Sequence, residues 1–224
     1  MDGRIKPGDR LPSEFELAQQ FGVSRGSIRS AMKVFETCGV VDIRRGDGTY
    51  ISSGLQNNTM MPLLLSLYVL NPTFDAMVQF REKIELDIFD LAMRNKEEKE
   101  DLLKELRANL RTMRTLQKNE AEPAAFSAND ADFHKIIAHH CGNILFESVY
   151  SYVMEFFLPS IHSTHVRQVS GSIAAKTHFQ IYEALREDDF SKGKEAIQAA
   201  MKDWYNLAGE AARTGEDVPL ASGK

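Results

Sequence analysis

Apolar residues in the first fifty positions recur at helical spacing, in two short blocks separated by Gly22-Val23-Ser24. Leu17, Ala18 and Phe21 form one apolar face, and Ile28, Ala31, Met32 and Phe35 form the second. Ser13, with Glu16 three residues on, is a capping box that opens the first helix. Gly22 closes it, because glycine takes the left-handed backbone that a sharp exit needs. Val23 is expected to pack into the turn, and Ser24 to cap a second helix running to about Cys38. Val40–Arg44 then alternates like a strand, Arg45-Gly46-Asp47-Gly48 reads as a turn, and Thr49–Ser52 is rich in β-formers.

Beyond Ser53 the period changes. Gly54-Leu55-Gln56-Asn57-Asn58-Thr59 is polar and aperiodic, which predicts a linker over 55–60. Helical periodicity then predicts helices at about 61–70, 74–94, 97–118, 123–141, 144–167, 172–187 and 190–212. Pro72, Pro123, Gly142-Asn143, Gly171 and Asp188-Asp189 separate them, and 214–224 reads as a flexible tail. The expected fold is mainly α: a winged helix-turn-helix over 1–54, then an all-α antiparallel bundle over 61–213.

The second helix of the amino-terminal unit opens with Ser24, Arg25, Ser27 and Arg29 instead of apolar groups. Arg25 and Arg29, four apart, share a face. A helix so arranged lies in the major groove of duplex DNA, with its first turn at the base edges. The hairpin after it is a wing, with Arg44 and Arg45 near a tip that approaches phosphate or the minor groove. Charge supports a local contact only. Residues 1–54 hold eight Lys/Arg against seven Asp/Glu, and the remainder 19 against 25, within a net charge of −5. The chain has no general affinity for polyanions, so DNA binding must come from one basic face and weaken steeply with salt.

Three helices of the bundle carry polar groups on apolar faces. Arg81 lies in the arc of Met77, Phe80, Ile84, Ile88 and Leu91, and an inward guanidinium is costly unless a counter-anion meets it. Asp130 and His134, four apart, border the stripe of Phe126, Phe133 and Ile137. His178 shares a face with Ile181, Tyr182 and Leu185. Two imidazoles, a carboxylate and an arginine directed into one bundle suit Zn²⁺, Ni²⁺ or Mn²⁺ holding a small anion. Asp-x-x-x-His also arises by chance, and a lone histidine on an apolar face is commonly a hydrogen-bonded core residue. Spacing alone leaves the metal open.

Pro7-Gly8-Asp9-Arg10-Leu11-Pro12-Ser13-Glu14, Val23-Ser24-Arg25, Arg29-Ser30-Ala31 and Gly46-Asp47-Gly48-Thr49-Tyr50 resemble the winged-helix domain of GntR-family bacterial transcription regulators. The resemblance implies that Ser24, Arg25, Ser27 and Arg29 contact DNA and that Gly46, beside Arg45, enters the minor groove at the wing tip. Two departures stand out. A first helix ahead of the Pro-Gly-Asp turn is truncated or missing, with only Met1–Lys6 in its place, and Phe15 stands where many members carry arginine.

Phe80-Arg81-Glu82-Lys83-Ile84-Glu85, Asp130–Ile137, Cys141-Gly142-Asn143 and His178–Tyr182 resemble the FCD effector domain of the FadR-type branch. In metal-binding members an aspartate and a histidine on one helix join histidines on two later helices. Carried over, these positions are Asp130, His134, His178 and Ala200, and an alanine cannot coordinate. A three-ligand site completed by water and effector, substitution by His162 or His165, or direct binding of an organic ligand without metal all remain open. The resemblance implies a small carboxylate effector, for which Arg81 is the natural clamp, with His162 and His165, and less directly Tyr152 and Arg167, as further candidates. It also implies a homodimer on a (pseudo)palindromic double-stranded operator, with repression as the default.

The competing expectation is a metal-dependent enzyme that acts on a small organic acid through Asp130, His134 and His178. No nucleophile–base pair, phosphate loop or pair of catalytic carboxylates accompanies it. The longest apolar run, Met60–Leu70, contains Pro62 and Ser66 and falls short of the roughly 20 residues a bilayer span needs, so no membrane partner is expected. Cys38 and Cys141 make no disulfide framework and read as small buried side chains in a reducing cytoplasm.

Overall fold

A computed structural model describes residues 6–52, 66, 69–70, 72–167 and 172–213. The chain divides into two compact units, with the boundary between Leu67 and Tyr68. The expected linker, most of the expected 61–70 helix and the tail lie outside the described residues.

In the first unit, α1 (Glu14–Phe21) and α2 (Arg25–Thr37) precede a hairpin of β1 (Val41–Arg44) and β2 (Gly48–Ile51). The capping box forms as the sequence implies: Ser13 Oγ accepts from the Glu16 amide at 3.3 Å, and the Ser13 amide donates to the Glu16 carboxylate at 2.8 Å. Gly22, at φ 66°, turns the chain by donating to Ala18 and Gln19 carbonyls. Ser24 caps α2 through the Ser27 amide at 3.0 Å. The strands pair antiparallel from Val41–Ile51 to Arg44–Gly48. The Pro7–Leu11 segment backs β2, with bonds from the Gly8 and Leu11 amides to Ile51 and Thr49 carbonyls.

The core of this unit is Leu17, Ala18, Ile28 and Met32, with Leu11 packed against it. The apolar stripe was expected to be wider. Phe35 is 43% exposed, Phe21 and Val23 lie at the surface, and Ala31 is only partly buried. Ile28 and Met32 fix which side of α2 faces inward, and Phe35 falls at the edge of that arc, beyond the reach of α1. Cys38 is exposed, against expectation, because it sits at the helix end; Cys141 is buried.

The second unit is all-helical among its described residues: α3 (Phe74–Arg94), α4 (Lys99–Lys118), α5 (Pro123–His139), α6 (Ile144–Arg167), α7 (Ser172–Glu187) and α8 (Phe190–Arg213). Thr73 caps α3, Pro123 occupies the first turn of α5, and the Gly142 turn ends α5 two residues earlier than periodicity suggests. Helix α5 packs on α3, α4 and α6, while α8 packs on α3, α6 and α7. Ile144–His165 of α6 is long and apolar enough to pass for a membrane span, which a search for unbroken apolar runs misses because Glu147 and Glu155 interrupt it. Its buried residues Tyr150, Val153, Met154, Phe157 and Ile161 make it a core helix of the bundle.

Gly193, in the second turn of α8, is buried, and a Cβ there would stand 2.0 Å from Phe89 Cζ. Phe89 is itself fully buried, and the cavity beside it, about 10 Å³, is smaller than a methyl group. Gly193→Ala is therefore expected to destabilise the bundle by about 1–3 kcal/mol, despite the better helix propensity of alanine. Chemical denaturation measures it; an unchanged or raised midpoint would show that the contact gives way.

Candidate functional site

Two sites emerge, one in each unit. In the first, the starts of α1 and α2 and the hairpin enclose a concave surface lined by Arg10, Arg25, Arg44, Arg45 and Gly46, with Phe15 among them. Arg25, Arg45 and Gly46 are exposed. Ser24 and Ser27 are exposed too, with their hydroxyl oxygens 2.9 Å apart, so the cap also orders the polar start of the helix. Arg29 is exposed but engaged: its Nη2 donates to Glu14 Oε2 at 2.8 Å, and its Nε lies 3.1 Å from the same oxygen. This bond holds the Glu14 carboxyl below its usual range. The wing is braced from within the unit. The Arg10 guanidinium donates to the Asp47 carbonyl, the Tyr50 hydroxyl to the Asp47 carboxylate, and Arg44 lies over the Tyr50 ring at 4.3 Å. The braces Arg10 and Glu14 went unrecognised in the sequence.

In the second unit, a cavity of about 50 Å³ is lined from four helices and by Arg81 of a fifth. Helix α5 contributes Asp130 and His134, α6 Thr164 and His165, α7 Thr177 and His178, and α8 Ala200, Asp203 and Trp204. Asp130 is the hub. Its Oδ1 is 2.8 Å from His178 Nε2 and 3.9 Å from His134 Nε2, and its Oδ2 is 3.5 Å from His165 Nε2. The His178 ring stacks on Phe133 at 3.9 Å, nearly parallel, which fixes its plane. Burial drives the Asp130 carboxyl upward, but hydrogen bonds from His165 and His178 more than compensate and hold it well below its usual value. Burial lowers His134 to about 4, against the pull of Glu85 and Asp130, so its imidazole is neutral at pH 7.

The counter-anion that an inward Arg81 requires is supplied by the chain itself. Arg81 Nε donates to Glu85 Oε1 at 2.7 Å, one helical turn away, and both side chains are only 4% exposed. Tyr150 donates to the same oxygen at 3.2 Å, and His134 Nδ1 lies 3.5 Å from Glu85 Oε2. The guanidinium also sits over the Trp204 ring at 4.9 Å. Glu85 thus joins Arg81 to the Asp130 cluster, a role its place beside the apolar stripe did not reveal.

The donor atoms of Asp130, His134 and His178 lie within 4.8 Å of one another. His178 Nδ1 and His165 Nδ1 are buried without a hydrogen-bond partner in the protein. Two neutral-capable imidazoles and an ionised carboxylate are the donor set a borderline divalent ion takes, so the residues fit a metal. Ala200, the fourth ligand position implied by the resemblance, lines the cavity. His162, by contrast, is exposed and bonded to Ser127 at 3.1 Å, and it does not line the cavity. Tyr152 is buried but is not part of the cavity wall, and the Arg167 side chain lies outside the description.

A small winged helix-turn-helix followed along the chain by an all-helical unit is the arrangement of a DNA-binding transcription regulator. Residues 1–51 match bacterial regulatory proteins of the gntR family and residues 76–203 match the FCD domain, and the chain belongs to the GntR family, in its FCD-bearing branch. It is 25% identical to the HTH-type transcriptional regulator LutR of Bacillus subtilis, over 88% of this chain and 90% of that protein. It is 24% identical to the HTH-type transcriptional repressor NanR of an Enterobacter strain, over 86% and 74%. A Streptococcus agalactiae GntR structure shares the fold, with a TM-score of 0.62, 22% identity and 92% coverage of both chains. The family and these relatives are transcription regulators, not enzymes, which removes the expectation of a metal-dependent enzyme.

The Arg81–Glu85 pair offers a stability test. Arg81→Met leaves a buried carboxylate without its guanidinium and should cost roughly 3–5 kcal/mol, whereas Arg81→Met with Glu85→Leu should recover much of that loss. Urea denaturation of the single and double variants decides it. Equal destabilisation in both would mean that the ion pair is not what holds these side chains inward.

Proposed function

We propose that this regulator is a repressor whose homodimer reads a palindromic operator and releases it when a small carboxylate enters the cavity of the helical unit. One observation carries the reading: Asp130, His134 and His178 converge on a buried cavity that Arg81 also lines. Asp130, His134 and His178 would hold a divalent metal such as Zn²⁺, Ni²⁺ or Mn²⁺. When bound, it would supply positive charge and open coordination positions that attract a carboxylate oxygen. Alanine at position 200 leaves the protein donors at three and widens the space beside them.

The protein's own groups do the rest. Arg81 spends its Nε on Glu85, and the guanidinium still faces the cavity as a donor to an anionic effector. His165, held to Asp130, adds a second polar contact and replaces His162 in that role. At the operator, Arg25 and Arg29 read base edges from the first turns of α2, Ser24 and Ser27 take phosphate oxygens, and Arg45 and Gly46 follow the wing into the minor groove. The name of the NanR relatives, a transcriptional repressor, supports repression. Linkage then requires that the effector bind the DNA-bound form less tightly than the free form.

Two variants test the halves separately. His134→Ala should lose stoichiometric metal, measured by elemental analysis after dialysis against the ion, and should blunt the operator's response to carboxylates; full metal content in that variant would defeat the assignment. Arg25→Ala should weaken operator binding by about 30-fold or more, the loss of one good bidentate base contact in each half-site of the dimer, while metal and effector binding stay intact. Equal loss of both would make Arg25 structural.

A further inference from the structure

The concave surface of the DNA-binding unit carries four arginines, three carboxylates in Glu14, Glu16 and Asp47, and one aromatic ring. Phe15, the second residue of α1, is 53% exposed and lines the same surface as Arg25, Arg44 and Arg45. It is not a stray core residue, since the inward positions of α1 are Leu17 and Ala18. Its neighbour Glu14 grips Arg29 of α2, so the start of α1 is tied to the recognition helix by an ion pair beside the ring. The ring is thereby presented at a set place next to the side chains that meet DNA.

A phenyl ring has nothing to offer a phosphate oxygen. In the major groove, however, the thymine 5-methyl group is the one apolar feature on a base edge, and phenylalanine is among the side chains that read it. Insertion between base steps is the other use of an aromatic ring on DNA, but that wedge works from the minor groove. The surface also includes the wing residues Arg45 and Gly46, but Phe15 follows Glu14, whose ion pair with Arg29 ties the start of α1 to the major-groove helix and not to the wing. We propose that Phe15 is a specificity residue that packs against the 5-methyl group of one thymine in each operator half-site. The inference rests on α2 being the major-groove helix.

Replacing thymine by deoxyuridine deletes that methyl and nothing else. An operator selected from random duplexes with the full chain is resynthesised with each thymine replaced in turn by uracil, and affinities are measured by fluorescence anisotropy. One thymine per half-site should be uracil-sensitive, with binding weakened about fourfold, the value of one buried methyl group. Phe15→Ala should bind the thymine and uracil duplexes equally at that position while keeping the wild-type circular dichroism spectrum and melting temperature. If no position is uracil-sensitive, or if Phe15→Ala keeps the wild-type ratio, the inference is wrong. Arg25→Ala separates the two readings. If it binds the selected operator as well as wild type, the major-groove assignment itself fails; if it loses binding while wild type ignores uracil, only the role of Phe15 falls.

Discussion

A single buried carboxylate organises the helical unit. Asp130 is 6% exposed in a bundle core, where an unpaired anion would cost several kcal/mol. Its charge is tolerated because imidazoles from three helices turn toward it: His134 from α5, His165 from α6 and His178 from α7. A second buried carboxylate, Glu85, sits on the far side of His134 and is balanced by Arg81. The result is a continuous chain of polar contacts, with the Arg81 guanidinium over the Trp204 ring, paired to Glu85, and the neutral His134 imidazole between Glu85 and Asp130. Arg81 of α3 and Trp204 of α8 line the cavity beside Asp130, so both helices directly border whatever occupies it.

In the proposed function, that arrangement is what lets a cavity of so little volume act on the whole bundle. An ion or anion entering beside Asp130 and Arg81 competes for groups that already hold five helices together. The equilibrium between two bundle arrangements shifts only by the difference in affinity for the two, and the shared groups are where such a difference arises. The DNA-binding unit follows the same economy of parts. Its core is four residues and Leu11, and ion pairs and ring contacts among Glu14, Arg29, Arg10, Arg44, Asp47 and Tyr50 tie α1 to α2 and brace the wing.

Much of this was legible in the chain. The capping box at Ser13 and Glu16, the Gly22 exit and the bounds of α3 are local signals, and local signals survive folding. Asp130, His134 and His178 were legible because each borders an apolar stripe on an amphipathic helix. Helix α6 gave no such guide. It is apolar nearly all round, so its inward face has no phase to read, and His162 and His165, three apart, could not be told apart. The pairings of Arg29 with Glu14 and of His134 with Glu85 join separate helices and leave no trace in spacing. Phe35 was assigned to the core because periodicity measures which side of a helix is apolar, not whether a neighbour reaches it.

The most direct test of the account is operator affinity of Asp130→Asn, followed by anisotropy while a divalent metal and then a panel of small carboxylates are added. Asparagine keeps the shape and removes the charge that gathers the three imidazoles. The account predicts that wild type releases the operator with at least one metal–carboxylate combination and that Asp130→Asn, folded and bound to the same DNA, does not respond to it. An undiminished response in Asp130→Asn would contradict the claim that this buried charge is the sensor.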